Sequence, residues 1–469
     1  VFMAAIRPLI KNKWIGAAGY AFLLFNPIAF STQITRLYRD IGYYSVSFLC
    51  VAATLGFLLR YGSKNAGVYF ALPAGLFLAF AHNFREDSHW LYVYVVACLL
   101  AWFIFRLLYL KNRTGEKKAK TTAVVPLLIV TGWLFIMLPV SLLNLGYYGT
   151  FTIDEYNSGA YAKAFGALKR IDGGLEDPHI VIPEEQRMAL YELSPAFSEL
   201  YSQLDAPNAR YRGWKEEQGE YRTGYFSFVL RDAVAVLGYY ENADTANAYY
   251  ERLANEVNAV CDQGLIEAGP RSYGITAKYY PWMTGPIIEA TFQGMWQTLQ
   301  CTGINPLMLP VNEDDAYLKI YENFVYDTIS ADRYMEDGST VSNYSLSGIA
   351  LWGQRFLRVV VLTYRYLLPY LFFAALVCFV AVFVGVIFRK KSGLSFFADS
   401  ITGISLLCLF LLRSAMIGFV HVSSFSAISN PAYQAANYPI ILAFVVVAIA
   451  YGIKWVPQIT RFGTLPRSR

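Results

Sequence analysis

Eight apolar runs, each close to the length that crosses a bilayer, constrain this chain more than any other feature. A hydrocarbon core of about 30 Å needs roughly 20 helical residues. The runs extend from about Trp14 to Phe30, Tyr43 to Leu59, Ala66 to Ala81, Leu91 to Leu110 and Thr122 to Leu145. After a long polar interval come Val360 to Phe388, Ile401 to Val420 and Tyr438 to Ile453. The first is interrupted by Asn26 and Pro27. Buried helices of a soluble protein are the competing explanation. Eight such runs argue against it, as does a charged content of 16%, where about a quarter is usual for a soluble protein. The expected fold is a polytopic α-helical membrane protein of about eight transmembrane helices. A large, mainly helical extracytoplasmic domain is expected between spans five and six. This divides the chain into a five-span region (1–147), an acidic extracytoplasmic domain (148–355) and a three-span region with a basic tail (356–469).

Basic residues set the expected orientation, because short cytoplasmic loops retain lysine and arginine. Clusters lie before the first run (Arg7, Lys11, Lys13), between the second and third (Arg60, Lys64) and between the fourth and fifth (Lys111, Arg113, Lys117, Lys118, Lys120). Others follow the sixth (Arg389, Lys390, Lys391) and the eighth (Lys454, Arg461, Arg467, Arg469). Over eight spans these all fall on one side, which makes both termini cytoplasmic. The interval 146–355 carries 29 acidic and 15 basic residues, the rest of the chain 5 and 24. The net charge of +5 is therefore no signature of nucleic-acid binding, since the large polar interval would repel a polyanion.

Within that interval the patterns are helical. Asp154 to Ile171 opens with two acids and closes on Lys169 and Arg170, as a helix dipole favours. Pro183 before Glu184 and Glu185 starts another helix. Further helices are expected over Tyr225–Tyr240, Ala243–Asp262, Ile287–Leu299 and Glu313–Thr328. Ser194 is expected to cap a turn begun by Pro195.

Phosphate-binding glycine loops, dinucleotide fingerprints, His-Glu-x-x-His and Gly-x-Ser-x-Gly are all missing from the sequence. Its four histidines, His82, His89, His179 and His421, argue against a histidine-rich metal site. No cofactor is evident. Glu313, Asp314 and Asp315 would offer a divalent cation oxygen ligands, although the negative first turn of a helix explains them better. Two expected outward loops concentrate opposite charges: Arg36, Arg39 and Asp40 in the first, and Arg85, Glu86 and Asp87 in the second. Transfer from a lipid-phosphate-linked sugar needs a carboxylate to take or orient the acceptor proton, and cations for the phosphate leaving group. Asp40, Glu86 and Asp87 are the candidate catalytic carboxylates. Arg36, Arg39 and Arg85 are candidate phosphate ligands, and solvated loop charges are the plain alternative. Arg413 joins them because it falls midway along the seventh run, where a charge requires a partner. In the acidic domain, Trp214 with Glu217, and Tyr273 with Trp282, offer the flat rings and polar groups that suit a saccharide. Core packing is the alternative for these aromatics. Cys261 and Cys301 are the disulfide candidates, as the two cysteines outside apolar runs.

In layout (a polytopic bundle, acidic residues in the first outer loops and a large outer domain) the chain resembles the membrane glycosyltransferases that use polyprenyl-phosphate sugars. The resemblance implies an envelope glycan assembly protein, with a polyprenyl-phosphate sugar and a glycan acceptor as partners beside membrane lipids. The compact loops favour a bacterial cytoplasmic membrane over a eukaryotic internal membrane as the setting. It rests on no contiguous motif, and it departs from the pattern in the three runs that follow the large domain. The alternative is a noncatalytic subunit whose outer domain binds a membrane protein partner.

Overall fold

The computed structural model describes residues 1–10, 12–31, 39–63, 67–111, 118–171, 179–215, 220–304, 348–390 and 392–460. The regular elements among these residues are helices, joined by two isolated β-bridges, Ile171 with Ala268 and Ile180 with Arg222. Helices of ten residues or more are, in order, α1 (Lys13–Leu24), α2 (Arg39–Leu58), α3 (Val68–Phe84), α4 (His89–Lys111), α5 (Lys118–Tyr148), α6 (Gly159–Leu168) and α7 (Glu184–Leu193). There follow α8 (Thr223–Val236), α9 (Ala243–Asp262), α10 (Thr284–Leu299), α11 (Gly348–Phe388), α12 (Leu394–Ser423) and α13 (Asn437–Thr460).

Five of these, not eight, contain a stretch long and apolar enough to cross a membrane: His89–Lys111, Thr122–Tyr148, Arg355–Phe388, Leu394–Ser423 and Asn437–Ile459. The chain is thus an integral membrane protein of several apolar helices, in contact with lipid. The expected first span fails at Asn26-Pro27. There α1 stops after 12 residues, about 18 Å of rise, and a 3-10 turn over Pro27–Phe30 replaces it. Proline lacks the donor that would continue the helix, and Asn26 Oδ1 caps the turn by accepting from Ile28 N. The second and third runs lie in α2 and α3, whose apolar stretches are Gly42–Leu58 and Val68–Phe84. At 17 residues each they rise only about 26 Å. The expectation that both termini are cytoplasmic rested on a count of eight, and the five candidate spans do not by themselves assign a side to either terminus. The placement between spans five and six falls too. In chain order the soluble helical region follows the second of the five candidate spans and precedes the third.

Close packing holds the bundle together. The helices α3 and α5 cross where both lack a side chain. A Cβ on Gly75 would lie 1.9 Å from Ile129 O, and one on Gly132 2.5 Å from Leu72 O. Small residues let helices approach in this way inside a membrane. The span in α13 is the central one, with 78% of its apolar window buried against 22% for that of α5. The buried and half-buried cations Arg60, Arg106 and Lys454 bind backbone oxygens or a carboxylate, as their desolvation demands. Arg60 donates to Ala4 O, Ala5 O and Gly56 O, and Arg106 to Tyr61 O. Lys454 pairs with Asp399 at 2.6 Å, and Trp455 Nε1 donates to the same carboxylate at 3.0 Å.

The soluble region has a core of its own, formed by α6 to α9. In α8 the buried residues Phe226, Val229, Leu230, Ala233 and Val234 follow helical spacing. Asn242 accepts from Thr245 N at the start of α9, so that helix spans Ala243–Asp262 as its pattern predicts. The helix expected from Asp154 begins only at Gly159, because Asp154 spends its carboxylate on a turn, accepting from Tyr156 N and Asn157 Nδ2. Ser194 accepts from Phe197 N as the cap of the turn at Pro195. Arg187, fully buried, binds both oxygens of Asp205 at 3.0 Å and Glu220 at 2.9 Å. Burial alone would raise the Asp205 carboxyl, but Arg187 foremost, then Lys215 and Tyr191, outweighs it and holds the group below the usual carboxylate range.

Cys261 and Cys301 are both free thiols, so the disulfide is not formed. Cys261 packs in the soluble core and Cys301 in the membrane core, so the two side chains serve different hydrophobic clusters. The helix expected at Glu313–Thr328 and the acidic group Glu313, Asp314 and Asp315 lie outside the described residues.

Candidate functional site

The charged residues of the two expected loops meet at one end of the bundle, where α2 and α4 begin and α3 ends. Arg39 and Asp40 sit in the first turn of α2, and Arg85 to Ser88 form the connection between α3 and α4. Ser88 fixes that connection by donating to Ala81 O and Arg85 O, at 2.9 and 2.7 Å. Arg85 is the hub. Its Nη1 donates to Asp40 Oδ1 at 2.7 Å, while Nε and Nη2 hold the two oxygens of Asp87 at 3.1 Å. Burial opposes its charge, but Asp87, Tyr43 and Asp40 together outweigh that and hold its pKa above the ordinary value. Arg39 bridges both oxygens of Glu86 at 3.2 Å.

Arg413, from α12, reaches the same place. It is buried, and its guanidinium lies 4.9 Å from the Trp90 ring centre and 5.6 Å from that of Tyr43. The Arg85 guanidinium lies 5.3 Å from the ring centres of Tyr43 and Tyr433. Trp90 Nε1 donates to Tyr43 Oη at 2.8 Å, locking the two rings together. Two arginines therefore share the aromatic wall formed by Tyr43, Trp90 and Tyr433. The satisfaction of Arg413 is incomplete. Nη2 donates to Tyr433 O at 2.8 Å, but Nε is buried with no hydrogen-bond partner. Among the described residues no carboxylate lies within ion-pair distance of it.

Asp40, Glu86, Asp87, Arg39, Arg85 and Arg413 thus form one cluster. Arg36 lies outside the described residues. The sequence reading missed the aromatic wall: Trp90 reads as an interfacial anchor, and nothing in the sequence ties Tyr43 or Tyr433 to an arginine. It also missed the buried polar chain beside Arg413, in which Asn437 Nδ2 donates to Gln434 Oε1 at 2.7 Å and to Ser414 Oγ at 3.3 Å. Of the histidines, His82 and His89 meet each other, with ring centres 6.2 Å apart. His421 instead meets His179, whose Nε2 lies 3.2 Å from His421 O. With the approach of Gly224 to Phe425, that contact seats the soluble region on the same end of the bundle.

Of the four residues expected to bind a saccharide, two have described side chains. Tyr273 and Trp282 are exposed, and Trp282 stacks on Tyr280 at 6.2 Å and 15°. Glu217 and the side chain of Trp214 lie outside the described residues. Among the described residues no group of three His, Cys, Asp or Glu side chains is placed to hold a metal ion.

Compared with known proteins, the chain matches no family model, no curated protein and no solved structure.

Proposed function

We propose that this protein assembles envelope glycan, transferring a sugar from polyprenyl phosphate to a glycan or protein acceptor. The setting is a bacterial cytoplasmic membrane, on the face that carries the acidic region. The observation that supports this reading is Arg413, buried in an apolar span with no carboxylate partner among the described residues and held beside the Arg85 cluster. A guanidinium so placed needs an anion, and lipid phosphate is the anion a membrane supplies. Arg413 and Arg85 bind the phosphate, and Tyr43 and Trp90 fix the first of them in position. The acceptor hydroxyl attacks the anomeric carbon and the bond from that carbon to the phosphate oxygen breaks. Polyprenyl phosphate leaves with its charge neutralised by the arginines. The hydroxyl proton passes to Asp87, whose side chain is 45% exposed and is the most open carboxylate of the cluster. Asp40, buried on Arg85, positions that arginine.

The test supplies purified protein with polyprenyl-phosphate-linked sugars and follows sugar transfer. Asp87→Asn is expected to lower kcat at least 100-fold, the usual range for a general base. Arg413→Gln is expected to weaken donor binding. Full transfer by both variants would overturn the mechanism.

A second reading, a noncatalytic subunit that docks a membrane protein, draws on a different observation. Asp40, Asp87 and Glu86 are each held by an arginine of the same chain, as in a structural clamp. Stable co-purification of a second membrane protein, with no turnover of any lipid-linked sugar, would favour it.

A further inference from the structure

The helix α10 occupies a stretch of sequence that reads as part of the soluble domain, yet its main packing partner is the membrane span α12. The two meet at Gly418, where an added Cβ would lie 2.8 Å from Thr291 Oγ1 and 3.0 Å from Ile287 O. Beside that contact Ala290 packs with Ile417 and Ile428. Leu411 precedes Gly418 by seven residues and so lies on the same face of α12. It is 46% exposed in a span that crosses lipid. The surface on which α10 docks is therefore the upward continuation of a lipid-facing stripe. The chain leaving α10 enters the membrane core: Leu299, Cys301 and Ile304 belong to it, and Arg365 donates to Cys301 O and Ile304 O.

On its side away from α12, α10 presents two stripes. Ile288, Phe292 and Trp296, spaced by four, are 52%, 60% and 45% exposed. Glu289 and Gln293, each one residue on, are exposed beside them. An apolar stripe flanked by a polar one is the pattern of a helix lying in the membrane interface. We infer that α10 lies at the boundary between acyl chains and headgroups. Its partner is the bilayer leaflet on the side of the soluble region. Ile288, Phe292 and Trp296 enter the acyl chains, and Glu289 and Gln293 meet the headgroups. The exposed Trp282 and Tyr279, just before the helix, stand where interfacial aromatics anchor such elements.

The experiment attaches a nitroxide to Phe292→Cys, Ile288→Cys or Glu289→Cys in the full chain. The background replaces the exposed Cys378 and Cys408 with serine, and the protein is held in phosphatidylglycerol–phosphatidylethanolamine vesicles. Collision with oxygen relative to a water-soluble nickel complex is expected to be several-fold higher at 292 and 288 than at 289. Equal ratios at the three sites would overturn the inference. So would exclusion of both reagents, or spin–spin broadening that disappears on dilution with unlabelled chain, because either result places protein over the stripe. Should the Phe292 variant fail to insert, the Ile288 variant carries the same comparison.

Discussion

Arg85 serves two carboxylates, so removing them one at a time and together should give unequal losses. In Asp40→Asn the lost contact is a 2.7 Å charge-assisted hydrogen bond between two side chains that are about 90% buried, worth about 1.5–3 kcal/mol. Arg85 keeps Asp87. In Asp87→Asn the lost partner is half open to solvent, and water replaces much of what it gave, so the cost falls to about 0.5–1 kcal/mol. With both replaced, the guanidinium stays buried with no countercharge, a state that costs about 3–5 kcal/mol. The double variant should therefore exceed the sum of the singles, taken range for range, by about 1 kcal/mol. Thermal unfolding in lipid nanodiscs, with all four proteins scanned at one rate, measures the cycle. Independent sites add to within about 0.5 kcal/mol. Additivity at that level would show that Arg85 is not shared, and the clamp described for it would be wrong.

Arg187→Met should cost the soluble region about 3–5 kcal/mol, since it leaves the fully buried Asp205 facing only Lys215 and Tyr191; loss of hydrogen-exchange protection across α7 and α8 would report it. Lys169 is buried, and burial first and then Lys278 depress its amine to about 8. Between about pH 8 and 10.5 the unfolded chain binds a proton that the folded chain has released, so stability rises with pH. After allowance for partial solvation the gain is on the order of 2 kcal/mol. Comparison of unfolding at pH 7.5 and pH 10 should show this rise in the wild type and its absence in Lys169→Met. Gly75→Ala should destabilise the bundle by about 3 kcal/mol, because its Cβ meets a backbone oxygen rather than a side chain that can move. Gly146→Ala, where nothing lies within 4 Å, is the neutral control for the same melting curve. Alkylation under denaturing conditions without reductant should modify six cysteines; a count of four would contradict the free state of Cys261 and Cys301.

Local sequence carries local structure, and both the readable and the unreadable parts of this protein follow from that. The α9 helix could be placed to the residue because its apolar period, its Asn242 cap and the following Gly264 agree over one unbroken stretch. The first apolar run misleads because hydropathy weighs Pro27 as one residue of many, whereas the missing donor ends the helix. The α10 helix misleads in the opposite way: its apolar spacing is plain, but spacing does not say whether the buried face meets a soluble core or a membrane span. The same limit governs the site. Arg39 beside Asp40, and Arg85 beside Asp87, can be read as charged loops because each group is contiguous. The bond from Arg85 to Asp40 spans 45 residues, and the seat of Arg413 on Trp90 spans far more, so neither leaves a pattern in the sequence. What the sequence does offer at Arg413 is a cost, a charge amid apolar neighbours, and a cost of that size demands a compensating contact without naming it. Tyr43 and Trp90 supply part of that contact through their ring faces. The unbonded Nε is the part they do not supply, and for that reason the search for a ligand begins at this arginine.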